Sequence, residues 1–223
     1  MAESIPALCE GLVYVDEYLV VLDKPAGLLA VPGIGPAKQD CLAARAQAMW
    51  PDARVVHRLD QATSGLIVMA RGRAMQRALA MAFERREVSK RYVAVVAGAI
   101  EAFDGWREID LPIMADWPNR PLQKVDAAHG RASTTRWRVA AALPQALERE
   151  QDATRVELQP LTGRTHQLRV HLSAVGHPIL GDPLYAPAEA RGAAARLMLH
   201  ASELEFAHPA TGEPIAFASR APF

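Results

Sequence analysis

The chain has 223 residues, half of them apolar, which is enough for one domain or two small ones with a sizeable core. Its 25 basic and 25 acidic residues cancel, which speaks against attachment to nucleic acid by global charge alone. No run of about 18 apolar residues is present to span a bilayer; no basic-then-apolar leader opens the sequence; Cys9 and Cys41 share no paired spacing, so a reducing, cytoplasmic setting is expected.

Leu12–Val15 and Tyr18–Leu22 read as two strands of a hairpin joined at Asp16-Glu17. Prolines and glycines from Pro25 to Pro36 then break regular structure. Asp40 is placed to cap a helix that carries Leu42, Ala46 and Met49 on one face and ends at Pro51. Val55-Val56 and Leu66–Ala70 are short apolar runs read as strands, and Met75, Leu79 and Ala82-Phe83 recur at helical spacing within Arg73–Arg86. Arg91–Ala97 is a further strand, stopped by Gly98. The two prolines of Asp116–Pro121 exclude regular structure there. Ser133–Ala140 alternates as a strand, Ala141–Ala153 reads as a surface insertion, and Arg155–Leu158 is a strand leading into Thr162-Gly163. A helix from about His166 to Val175 puts Leu168, Leu172 and Val175 on one face, with Gly176 as its stop. Leu197–Leu199 is apolar, and Leu204–Phe206 faces Ile215–Phe217 across a Pro/Gly turn. Strands and helices do not alternate strictly, so an α+β fold with a mixed, mostly antiparallel sheet is expected.

The most informative run is His57–Leu66. A carboxylate, Asp60, follows Arg58-Leu59 and precedes the small residues Thr63, Ser64 and Gly65, all between two strands. Rigid strands carrying a polar turn aim a reactive group well; equally, an Asp in such a turn can serve only as a cap, or as a partner of Arg58. Charge is distributed unevenly around it. From Arg54 to Arg91 there are nine basic residues against three acidic ones, a surplus of six. A solvated basic helix face accounts for several of these arginines, and a field of that sign is also what an RNA-binding surface requires.

The run His57-Arg58-Leu59-Asp60-Gln61-Ala62-Thr63-Ser64-Gly65 resembles the signature of the RluA family of RNA pseudouridine synthases. Lys24–Leu28, Lys90-Arg91-Tyr92, Leu161–His171 and Gly176–Asp182 resemble further motifs of that family, in its order, from about residue 13 to the C-terminus. The resemblance implies a central sheet shared by two subdomains, with a catalytic cleft across it. Residues 1–11 would be a tail and 12–223 one catalytic domain, without the small N-terminal RNA-binding domain of some members. It makes Asp60 the catalytic residue, Arg164 its charge partner and Tyr92 the aromatic that holds the target base. Arg58 would flip the nucleotide or hold a phosphate, or else support Asp60. Leu168 would pack beneath the uracil, or simply fill the core. The implied reaction isomerises uridine in large-subunit ribosomal RNA and in a transfer-RNA anticodon stem-loop. Such an isomerisation gains and loses no atoms, so no cofactor and no metal are expected, and the enzyme would act as a monomer.

His166 and His171 are five apart, the wrong spacing for two ligands on one helix face. Lys24–Gly27 reads as a structural turn, and the Trp117 loop as either an RNA contact or an anchor. Two other functions stay open at this point: a noncatalytic RNA-binding module, and a glycosidase that frees uracil.

Overall fold

Asp16 starts the first sheet. Its Oδ1 accepts from the backbone N–H groups of Tyr18 and Leu19 at 2.7 and 2.8 Å, turning the chain between β1 (Leu12–Val15) and β2 (Leu19–Lys24), which pair antiparallel. The computed structural model describes residues 11–140 and 152–223. Two compact units divide the chain: Met1–Lys90 with Ala201–Pro222, and Arg91–His200 with Phe223.

In the first unit, α1 (Leu42–Met49) leads to β3 (Ala53–Val55), which pairs antiparallel with β4 (Ser64–Arg71). β4 also pairs with β2, Leu19 opposite Ala70 through Lys24 opposite Gly65. Seven of its eight residues are buried, so it shows a continuous apolar run rather than alternation, as expected of a strand covered on both faces. α2 (Gly72–Glu84) lies on one of those faces. Leu79 enters a core of Leu19, Val21, Leu66, Val68 and Ala70, with Met75, Ala82 and Phe83 packed around it. The expected helical face is therefore the buried one.

The second unit begins in β5 (Ser89–Ala97). There follow β6 (Arg107–Asp110), the hairpin of β7 (Ile113–Ala115) and β8 (Gln123–Val125), then β9 (Thr134–Val139) and β10 (Ala153–Pro160). The order β5-β10-β9-β6 is antiparallel throughout. α3 (Gln167–Ala174) and the single turn α4 (Ala188–Gly192) complete it. The chain returns to the first unit in β11 (Leu199–Ala207), beside β4, which pairs antiparallel with β12 (Pro214–Ala218), Leu204 opposite Phe217 and Phe206 opposite Ile215. The fold is α+β and mostly antiparallel, as expected.

Four local readings change. Cys41, not Asp40, caps α1: its Sγ accepts from Ala44 N at 3.3 Å, while Asp40 is drawn outward by Arg45 at 2.6–2.7 Å. Leu29 and Ala30 carbonyls take the first two helix N–H groups, those of Leu42 and Ala43, so the loop before α1 supplies acceptors at the end that Asp40 was expected to cap. Trp117–Asn119 forms a short 3-10 turn despite its proline, because a proline near the first helical position sacrifices no hydrogen bond. Val175 is 38% exposed, off the buried face: it is the residue at which α3 ends, just before Gly176 takes a positive φ. Of the expected insertion, residues 141–151 lie outside the described residues, and Ala153 already belongs to β10.

Candidate active site

The loop that carries Asp60 is anchored from four sides within the first unit. Lys24, at the end of apolar β2, is fully buried, and its ammonium donates to the carbonyls of Pro25, Leu28 and Gln61 at 2.9, 2.8 and 3.1 Å. A buried ammonium is tolerated when its donors meet oxygen acceptors. Gly27 N donates to Gln61 O at 2.8 Å, and Gln61 Nε2 returns a bond to Gly27 O at 2.9 Å. The first motif is thus a structural turn, as read, and its function is to hold the residue next to Asp60. Thr63 N donates to the backbone carbonyl of Asp60 at 3.1 Å, closing the turn. Gly65 ends it with φ +113, and a Cβ there would strike the backbone of Ala201, so only glycine lets β4 approach β11 this closely.

His57 supplies the fourth anchor. Its Nε2 accepts from Val68 N at 3.0 Å, and its ring stacks on Phe83 at 4.5 Å. Loss of solvent, and then the Lys90 ammonium, push its pKa down to about 3, so the ring is neutral at pH 7 and holds its proton on Nδ1. Arg58 is exposed and makes no hydrogen bond or ion pair among the described residues, so it does not pair with Asp60. Asp60 itself is half-buried.

Tyr92, Arg164 and Leu168 lie in the second unit. Tyr92 is half-buried on β5 and sits opposite Leu158 of β10. Beyond β10 the chain turns into the loop of Arg164, whose Nε and Nη2 both donate to Ala132 O at 3.3 Å. Leu168, 7% exposed, lies on α3. The structure therefore puts Asp60 and Arg58 on one loop of the first unit and the other three residues around the α3 end of the second.

A buried polar chain positions the Arg164 loop. Gln167 Oε1 accepts from Thr162 Oγ1 at 2.7 Å and from Arg164 N at 3.0 Å. Gln167 Nε2 donates to Thr134 O and to Thr135 Oγ1, both at 3.0 Å. Thr135 Oγ1 meets His171 Nδ1 at 2.9 Å, and His171 Nε2 meets Leu111 O at 2.9 Å. A carbonyl only accepts, so Nε2 carries the hydrogen and Nδ1 accepts from the threonine hydroxyl. Burial lowers the pKa of His171 and keeps it neutral. His166 takes a left-handed conformation, φ 55, and its Nδ1 is 2.6 Å from Tyr185 Oη, which in turn accepts from Gln123 N. Both histidines are thus committed to hydrogen bonds within the fold. Arg169 and Asp182, with side chains 3% and 1% exposed, form a two-pronged pair at 2.8 and 2.6 Å. Sequence reading missed Lys24's cage, Gln167 and this pair. The one signal was a polar or charged residue inside an apolar or helical run, which periodicity cannot distinguish from an exposed one.

The hairpin loop expected to contact RNA or anchor an insertion exposes Trp117, 64% accessible, with the Arg120 guanidinium stacked on it at 3.3 Å. No helix of the described residues is long and apolar enough to cross a membrane.

Residues 18–174 match the protein family described as RNA pseudouridylate synthase. Human RNA Pseudouridylate Synthase Domain Containing 1 superimposes with TM-score 0.78 at 28% identity, covering 100% of this chain and 87% of that one. The dual-specificity RNA pseudouridine synthase RluA of Yersinia pestis is 46% identical over 213 residues, 95% of this chain and 99% of that protein. The protein of the same name from Escherichia coli is 46% identical over 95% of this chain and 93% of its own length. The chain belongs to the RluA family of RNA pseudouridine synthases and is an isomerase of that class.

Proposed function

We propose that this chain converts uridine to pseudouridine in two kinds of RNA, large-subunit ribosomal RNA and a transfer-RNA anticodon stem-loop. The observation that carries the reading is the near full-length similarity to enzymes named dual-specificity. The reaction breaks the N1–C1′ bond, rotates the base, joins C5 to C1′, and exchanges the C5 proton for one at N1. It is an isomerisation, and a carboxylate meets the charge that develops near C1′. Asp60 supplies that carboxylate, as nucleophile or base, from a loop whose backbone is tied at Gln61, Thr63 and Gly65. Arg164 is its charge partner, since a nearby guanidinium favours the ionised acid. The target base leaves its stack before reaction; Tyr92 holds it, a contact worth about 1–3 kcal/mol, with Leu168 packed beneath. Arg58, exposed and unpaired among the described residues, fills the gap or holds a phosphate. The enzyme acts as a cytoplasmic monomer without cofactor.

The test is tritium release from RNA labelled at uridine C5. Wild-type protein releases label and forms pseudouridine, whereas Asp60→Asn folds, binds the same RNA and releases none. Free uracil among the products, or turnover by Asp60→Asn, rejects the reading.

A further inference from the structure

The first unit holds a groove that the chemistry above does not use. It has a volume of about 490 Å³ and lies between α2 and the β3 segment. Arg73, Gln76, Arg77 and Ala80 line one side. Their spacings of three, one and three residues put them on a single stripe of α2, beside the face that sends Leu79 into the core. Arg54 and Val55 line the other side. Gln76 is fixed there by its bond to Val55 O at 3.1 Å.

Three guanidiniums thus face one groove with no carboxylate among its lining residues. Arg73 and Arg77 are exposed. Among the described residues none of the three is in an ion pair, and Arg54 Nε is a buried nitrogen without a hydrogen-bond partner. The carboxylate near β3, Asp52, is taken by Arg71 at 3.2 Å. Gathering like charges is unfavourable by itself, and a buried guanidinium nitrogen left unpaired costs more. Both costs are removed by an anion with several acceptor oxygens, spread along a groove rather than held at a point. Guanidinium forks match phosphate oxygens in two-pronged fashion. The groove is also tied to the reactive loop: Arg54 is six residues before Asp60, at most about 20 Å even at full extension.

We infer that Arg54, Arg73 and Arg77 form a phosphate-binding track for the substrate's RNA backbone flanking the target uridine. This builds on the proposed RNA-modifying role. The track reads no base; it sets register and supplies affinity.

The test measures binding of a fluorescein-labelled RNA stem-loop with single-stranded flanks, in an Asp60→Asn background, between 50 and 200 mM salt. Each phosphate contact contributes about 0.7–0.9 to the slope of log K against log salt. Arg54→Gln with Arg73→Gln and Arg77→Gln lowers that slope by about 2 and weakens binding on the order of tenfold or more at the lower salt. The matching triple lysine variant keeps the slope near wild type, because the charge remains. Arg77→Glu, a change at an exposed site, lowers the slope by about 1 on its own and covers the case in which the triple variant does not fold. A slope unchanged in a folded triple variant or in Arg77→Glu overturns the inference, as does a lysine variant as impaired as the glutamine one. Failure of the RNA-modifying role appears separately, as wild-type protein that makes no pseudouridine.

Discussion

His57 stands three residues before Asp60 and has the chemistry of an anchor. Its Nε2 accepts from Val68 N, which only the neutral ring can do. Its pKa falls to about 3 in the fold against 6.5 when unfolded. Between those values the unfolded chain binds the extra proton, so stability rises with pH across that window. The contribution is complete above about pH 6.5 and is lost as the pH falls toward 3, at up to about 1.4 kcal/mol per pH unit. His171, lowered by burial, adds a term of the same sign. Glutamine at position 57 offers a carbonyl acceptor that does not titrate. His57→Gln is therefore expected to flatten the dependence of unfolding free energy on pH between 6.5 and 4, measured by urea unfolding under circular dichroism. Identical slopes in the two proteins would show that His57 carries none of it. The position of the histidine was legible from the sequence; its protonation state was not, because Phe83 and Lys90, which set it, lie 26 and 33 residues further along the chain.

Elements were read well where the pattern was local. α2 followed apolar spacing, α3 followed apolar spacing and its terminal glycine, and β4 followed an unbroken apolar run. The faces of α3 were harder, because Gln167, Arg169 and His171 are buried alongside Leu168 and Leu172. Arg169 is buried where Asp182, 13 residues later, meets it. Asp182 Oδ1 also accepts from the N–H groups of Leu184 and Tyr185, so one carboxylate fastens α3 to the following loop. Removing one member of such a pair leaves a buried charge uncompensated. Arg169→Met is expected to cost about 3–5 kcal/mol. Arg169→Met with Asp182→Asn is expected to cost less, since the amide oxygen still serves the two N–H groups without a charge. Urea midpoints of the two variants check this, and equal losses would put the cost in packing rather than in charge.

At the scale of the whole molecule, the balanced charge conceals a local surplus. Nine basic residues against three acidic ones lie between Arg54 and Arg91, the stretch of sequence that contains the Asp60 loop, while acidic residues gather in 101–116 and 148–152. A protein of zero net charge is thus expected to bind RNA with a steep salt dependence. Mapping pseudouridine in cells with and without the gene tests the wider proposal: sites are lost from both ribosomal and transfer RNA. Loss from one kind alone would restrict the substrate to that kind. The family, the order of the elements and the turn that carries Asp60 could be read from residues close together in the chain, because hydrophobic period and turn chemistry act over a few residues. Which polar groups go inside was decided only in three dimensions. Lys24 meets Gln61 across 37 positions, and His171 meets Leu111 across 60. A buried donor is stable only beside its acceptor, and folding alone determines which acceptor that is.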